Sequence, residues 1–158
     1  MNQWSDKSAE FGGVPAFDKM NPEQVKEAML AGMELSLKDI DKIANNLDTP
    51  TFENTILALD KSGKLLNKIS GVFGPLSGAD TNDEMQAAAR EISPMRTTHG
   101  NNISMNADLF KKIKAVYEKR NELGLDDQQI RVTEKYYNDF ERNGANLSVE
   151  DQEILKGI

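Results

Sequence analysis

Apolar residues recur along this chain at three- and four-residue spacings and nowhere alternate over a strand-length run, the pattern of helices with one buried face. The clearest stripe is Phe52, Ile56, Leu59, Gly63, Leu66, Ile69 and Phe73. It predicts one long helix that opens at Pro50 and ends near Pro75 to Gly78. Pro50 has a fixed φ and no N–H, which suits a first helical turn. Thr49 or Thr51 can cap the free amides, and Glu53 stands near the positive end of the helix dipole.

The other stripes arrange themselves around that helix. Upstream, Asn21 caps, Pro22 takes the first position, Gln24 closes a capping box and Met20 staples onto Val25. Val25, Met29, Gly32/Met33, Ser36, Ile40, Ile43 and Leu47 carry this first helix to about Asn46. A third helix begins at the box Thr81-Asn82-Asp83-Glu84, with Met85, Ala88/Ala89, Ile92, Met95, His99 and Ile103 on its apolar side. Pro94 inside it predicts a kink or a break. Asn106 caps a fourth helix, with Leu109/Phe110, Ile113, Val116/Tyr117 and Arg120 on one face and Gly124 placed for a left-handed cap. Asp126 and Gln129 box a fifth, whose stripe runs through Ile130, Thr133, Tyr137 and Phe140 to Gly144. Ser148 caps a sixth with Asp151 three residues on; Ile154, Leu155 and Ile158 are its large apolar residues after Val149. A capped helix that meets no stop signal leads us to expect that the sequence is cut within this last helix, the alternative being an ordinary frayed C-terminal helix.

Residues 1–20 contain Gly12-Gly13 and Pro15 and read as an extended arm, which Trp4, Phe11, Val14 and Phe17 could pin to the helical body; the alternative for Trp4 is a disordered terminus. The expected fold is therefore all-α: about six antiparallel helices, no sheet, an arm over 1–20 and a helical domain over 21–158. At 158 residues one domain is the natural prior. A chain of that size buries roughly 70% of its unfolded surface.

Charge narrows the function classes. Nineteen Lys+Arg against 26 Asp+Glu give a net charge of −7, a surface that repels phosphate backbones and argues against a nucleic-acid partner. No run reaches the ~18 apolar residues of a membrane span. Met1 to Lys7 lack the apolar core of a secretory signal, which points to the cytoplasm; a signal removed ahead of Met1 would point to the periplasm. Without cysteine there is neither a disulfide framework nor thiol chemistry.

Pro50-Thr51-Phe52-Glu53-Asn54-Thr55-Ile56, followed by Leu59, Ser62 and Gly63, resembles the N-terminal region of the thimet oligopeptidase family of zinc metallopeptidases. Phe17-Asp18-Lys19-Met20-Asn21-Pro22-Glu23 and Gly32-Met33 match upstream. Thr81-Asn82-Asp83-Glu84, Asn106, Leu109-Phe110, Leu123-Gly124-Leu125-Asp126 and Phe140 with Gly144-Ala145-Asn146-Leu147 match downstream, in order. The resemblance covers nearly the whole chain and runs off its end. It implies the helical N-terminal segment of a longer peptidase, in which these helices wall a channel for short peptides and the zinc helix lies far downstream. The implied partners are the remainder of the peptidase chain and, in the parent protein, short peptide substrates. Thr81-Asn82-Asp83-Glu84 and Leu123-Gly124-Leu125-Asp126 favour a peptidyl-dipeptidase (dipeptidyl carboxypeptidase) over oligopeptidase A.

Zinc sites of that type need His-Glu-x-x-His on a helix, two imidazoles one turn apart with a glutamate to activate water. This chain has one histidine, His99, so the expectation is no catalytic, cofactor or metal residue here, with zinc in the parent. His99 falls on an apolar stripe and reads as a satisfied core or seam histidine. The acidic pairs Asp80/Asp83 and Asp126/Asp127 stand at helix starts, where capping and the dipole account for them. Glu53 and Asn54 read as part of a buried helix start with Phe52; Tyr136/Tyr137, Met29, Met33 and Met95 read as core or seam. No calcium loop, phosphate loop or nucleophile elbow is present. Two other readings are a free-standing acidic helical module that binds a protein partner and an inactive paralogue that keeps only this region.

Overall fold

A computed structural model describes residues 22–79 and 83–156. The expected arm over 1–20, the Asn21 cap, the Met20 staple, the Thr81-Asn82 half of a capping box and Ile158 lie outside those residues. In chain order the helices are α1 (Pro22–Ala44), a π turn (Phe52–Leu57), α2 (Ala58–Ser62), α3 (Lys64–Ala79), α4 (Asp83–Ser104), α5 (Ala107–Lys119), α6 (Asp127–Arg142) and α7 (Val149–Lys156). Among the described residues there is no strand, and the protein is all-α.

These elements form two compact units. The first contains the start of α1 up to Ser36, all of α3, and α4 up to Thr97. Val25, Met29 and Met33 on α1, Ile69 on α3 and Ile92 on α4 make its core, with Leu65, Leu66 and Ala89 packed against it. Spacings of four residues on α1 place all three of its core side chains on one face. Gly32 lies on that face where the helices approach: a Cβ there would stand 3.4 Å from the Leu66 Cα. Lys26 Nζ reaches Glu91 Oε2 at 2.5 Å and ties α1 to α4 at the surface.

The second unit holds the last turns of α1, the π turn with α2, the end of α4, and α5 to α7. Its core gathers Ile40, Ile43, Phe52, Ile56, Leu59, Leu109, Phe110, Ile113, Val116, Phe140 and Ala145. The Asn106 carboxamide caps α5 by accepting from the Leu109 N–H at 2.9 Å. Asp126 and Gln129 close the capping box of α6, and Gly124 takes a φ of +67°.

The end of α6 is a complete Schellman turn. Ala145 N–H donates to the Phe140 carbonyl at 3.0 Å, and Gly144 N–H donates to the Glu141 carbonyl at 3.1 Å. Gly144 holds the left-handed position between them, with φ +82°. Phe140 and Ala145, which such a turn brings together, are both buried.

Four expectations need correction. The stripe from Phe52 to Phe73 is not one long helix but a π turn, α2 and α3, with a turn at Gly63. Its first residues feed the core of the second unit, whereas Ile69 feeds that of the first. The extra residue in a π turn changes the phase, and glycine costs about 1 kcal/mol in a helix interior, so period alone overstates continuity. Pro50 precedes the cap Thr51 and is not in the first turn. Of the kink or break expected at Pro94, the break does not occur, α4 being continuous through it. Arg90, whose carbonyl loses its donor, is exposed, as is every residue from Ser93 to Thr98, so water is available there. Finally, Leu47 is fully exposed, beyond the end of α1 at Ala44, and Met95 is 42% exposed rather than buried on the α4 stripe.

Candidate functional site

The helix start singled out by the sequence is held by Asn54. Thr51 Oγ1 accepts from the Asn54 N–H at 3.1 Å, and Asn54 Oδ1 accepts from the Thr51 N–H at 2.8 Å. The same oxygen accepts from the buried Thr55 hydroxyl at 2.9 Å, while Asn54 Nδ2 donates to the Thr49 carbonyl at 3.0 Å. Both ends of the Asn54 carboxamide are thus engaged in shaping the helix start. Glu53 is exposed beside it. The loop ahead is braced as well, since Lys112 Nζ donates to the Asn46 carbonyl.

Asp126 accepts from the N–H groups of Gln128 and Gln129, both at 2.9 Å, and so acts as a cap. Asp80, one half of the other acidic pair, lies outside the described residues. His99 is half-buried rather than fully enclosed, and among the described residues its Nδ1 has no hydrogen-bond partner. It is thus a seam histidine, but not a satisfied one. Burial lowers its pKa and favours the neutral ring.

Tyr136 and Tyr137 are half-buried and do more than fill space. The Tyr136 hydroxyl donates to Asp60 Oδ1 at 3.2 Å, joining α6 to α2. Burial first, and the Asp60 carboxylate second, push the Tyr136 phenol up to about 12. The group stays protonated near neutral pH and works as a donor, not as a base. Tyr137 lies between two rings: its centroid is 5.5 Å from that of Phe110 and 4.0 Å from that of Tyr117. Arg120 completes the stack, 4.1 Å above the Tyr117 ring, and its Nε donates to Glu134 Oε1 at 3.0 Å. The helical periods place Arg120, Tyr117 and Tyr137 on their helix faces without joining them. The three-residue spacing of Tyr117 and Arg120 was the available signal. The Tyr137 hydroxyl donates to Glu141 Oε1 at 3.1 Å, and burial first and that carboxylate second raise its pKa, so the phenol is held protonated.

Among the described residues no three His, Asp or Glu side chains come together as a metal site. The His-Glu-x-x-His motif that the resemblance places downstream needs two imidazoles, and this sequence has one.

Comparison with known sequences settles the family. The profile of the neurolysin/thimet oligopeptidase N-terminal domain matches residues 25–152. This chain belongs to that family. The N-terminal domain is 37% identical over 143 residues to a dipeptidyl carboxypeptidase of Escherichia coli, covering 90% of this chain and 21% of that protein. It is 35% identical, with the same coverage, to the dipeptidyl carboxypeptidase of Salmonella typhimurium. Oligopeptidase A of Escherichia coli is 20% identical over 140 residues, 89% of this chain and 21% of its own length. The N-terminal domain thus spans about a fifth of the curated relatives it matches. No helix among its described residues is long and apolar enough to cross a membrane.

Proposed function

We propose that this domain is the non-catalytic helical N-terminal part of a zinc metallopeptidase of the peptidyl-dipeptidase type. There it forms part of the wall of a channel that admits short peptides. The observation that carries the reading is the match over residues 25–152, together with 37% identity to a dipeptidyl carboxypeptidase against 20% to an oligopeptidase A. The chemistry of the chain agrees with a supporting role. It has capped helices, a phenol held protonated and one half-buried histidine, too few imidazoles for a His-Glu-x-x-His of its own. In the complete protein, zinc held elsewhere would polarise the scissile carbonyl.

The reading is tested on the uninterrupted reading frame that contains this segment. The expected product carries a downstream His-Glu-x-x-His and releases dipeptides from the C-terminus of short peptides, and chelation abolishes the release. The 158-residue chain incubated with zinc and the same peptides should cleave nothing. Zinc-dependent cleavage by the short chain, or a frame without a zinc motif, contradicts the proposal.

A further inference from the structure

The corner between α6 and α7 carries an apolar group that the fold leaves uncovered. At the left-handed Gly144, a Cβ would lie 2.8 Å from Leu147 Cδ1 and 3.0 Å from Leu155 Cδ2. The two leucines therefore converge on one point, yet they remain 42% and 38% exposed. Ile154, next along α7, is 66% exposed. Single apolar residues at a surface are ordinary, but a converging group on one corner marks a contact surface.

The corner is built rather than frayed. Gln152 Nε2 donates to the Gly144 carbonyl at 2.9 Å and to the Met105 carbonyl at 3.2 Å, fixing α7 to the end of α6 and to the turn before α5. Ser148 Oγ accepts from the Asp151 N–H at 3.2 Å and caps the helix. The apolar side chains thus sit on a platform with a defined orientation. Glu150, Asp151 and Glu153 are exposed on the same helix; Lys156 pairs with Glu153 at 2.7 Å, and the other two carboxylates leave the border of the group net acidic.

Two observations choose the occupant. The relatives are several times longer than this chain, which covers 21% of the two dipeptidyl carboxypeptidases. A second copy would bring the same acidic border against itself, on a chain whose net charge is −7. We propose that, in a polypeptide of the relatives' length, a helix from the segment after α7 docks on Leu147, Ile154 and Leu155. Its contact face is apolar and bordered by Lys or Arg. The inference rests on the reading of this chain as part of a longer peptidase.

The chain has no cysteine, so one thiol can be placed where it is wanted. Ile154→Cys would be made in the 158-residue chain and in the full reading frame, and the rate of maleimide labelling at that position followed by peptide mass analysis. Labelling at least about tenfold slower in the long polypeptide is the expected result, the open fraction of a docked contact being small. Equal rates in a long polypeptide that still cleaves peptides overturn the docking and leave the peptidase reading intact. A frame that encodes no further domain overturns both. Labelling of the short chain that slows as its concentration rises identifies a second copy as the occupant and also overturns the proposal. Leu147→Cys repeats the measurement should Ile154→Cys fail to fold, with the same outcomes.

Discussion

The Tyr136 hydroxyl donates to Asp60 Oδ1 at 3.2 Å across 76 positions of sequence, and this contact helps attach α6 to α2. Because the phenol is raised from 10.0 to about 12, the folded protein holds that proton more tightly than the unfolded chain does. The associated stability is complete below pH 10 and is lost as pH rises through about 12. The urea midpoint of the wild type should fall across that window, and Tyr136→Phe should flatten the fall. At neutral pH the same variant should cost about 0.5–1.5 kcal/mol, the net worth of one hydrogen bond.

Gly144 and Gly124 both have positive φ, +82° and +67°, but only Gly144 has neighbours where a Cβ would go. Gly124→Ala should therefore cost about 1–2 kcal/mol, the penalty of the left-handed backbone alone. Gly144→Ala should cost more, because Leu147 and Leu155 must also move aside. Parallel urea melts of the two variants separate strain from collision, and equal losses would show that the two leucines yield freely.

Asn54 makes several bonds that Thr51 does not share. Thr51→Ala removes the acceptor for the Asn54 N–H and should cost about 1 kcal/mol. Asn54→Ala also strips the partners from the Thr51 N–H and the buried Thr55 hydroxyl, so a larger loss is expected. A double-mutant cycle should show clear non-additivity, since both residues belong to one capping box.

His99 titrates below its ordinary 6.5 because burial disfavours the charged ring. Its contribution to stability is complete above 6.5 and is lost as pH falls below that value. Its NMR titration midpoint should lie below 6.5, and His99→Gln should lose less stability than the wild type between about pH 7.5 and about pH 5.5. A midpoint above 6.5 would mean that the enclosed Nδ1 finds a carboxylate partner in solution.

Much of the local structure is legible in the sequence. Thr51, Asn106, Asp126 and Ser148 were among the expected caps, and each accepts the amide that capping requires. Such contacts span two or three residues, so the chain itself brings donor and acceptor together. The ordered motifs from Phe17 to Leu147 point to the family that the match over residues 25–152 establishes.

What the sequence determined by itself, then, is helical class, cap positions and family, because these depend on periods and on neighbours within one turn. The tertiary structure alone decided where each stripe is buried. Ile56 and Ile69 lie on one sequence stripe yet enter separate cores, and Leu47 and Met95 continue apolar periods into solvent. It alone brought Tyr136 to Asp60 and laid Arg120 on Tyr117 beside Tyr137. A helical period states which side of a helix is apolar; what covers that side depends on packing against residues far away in the chain.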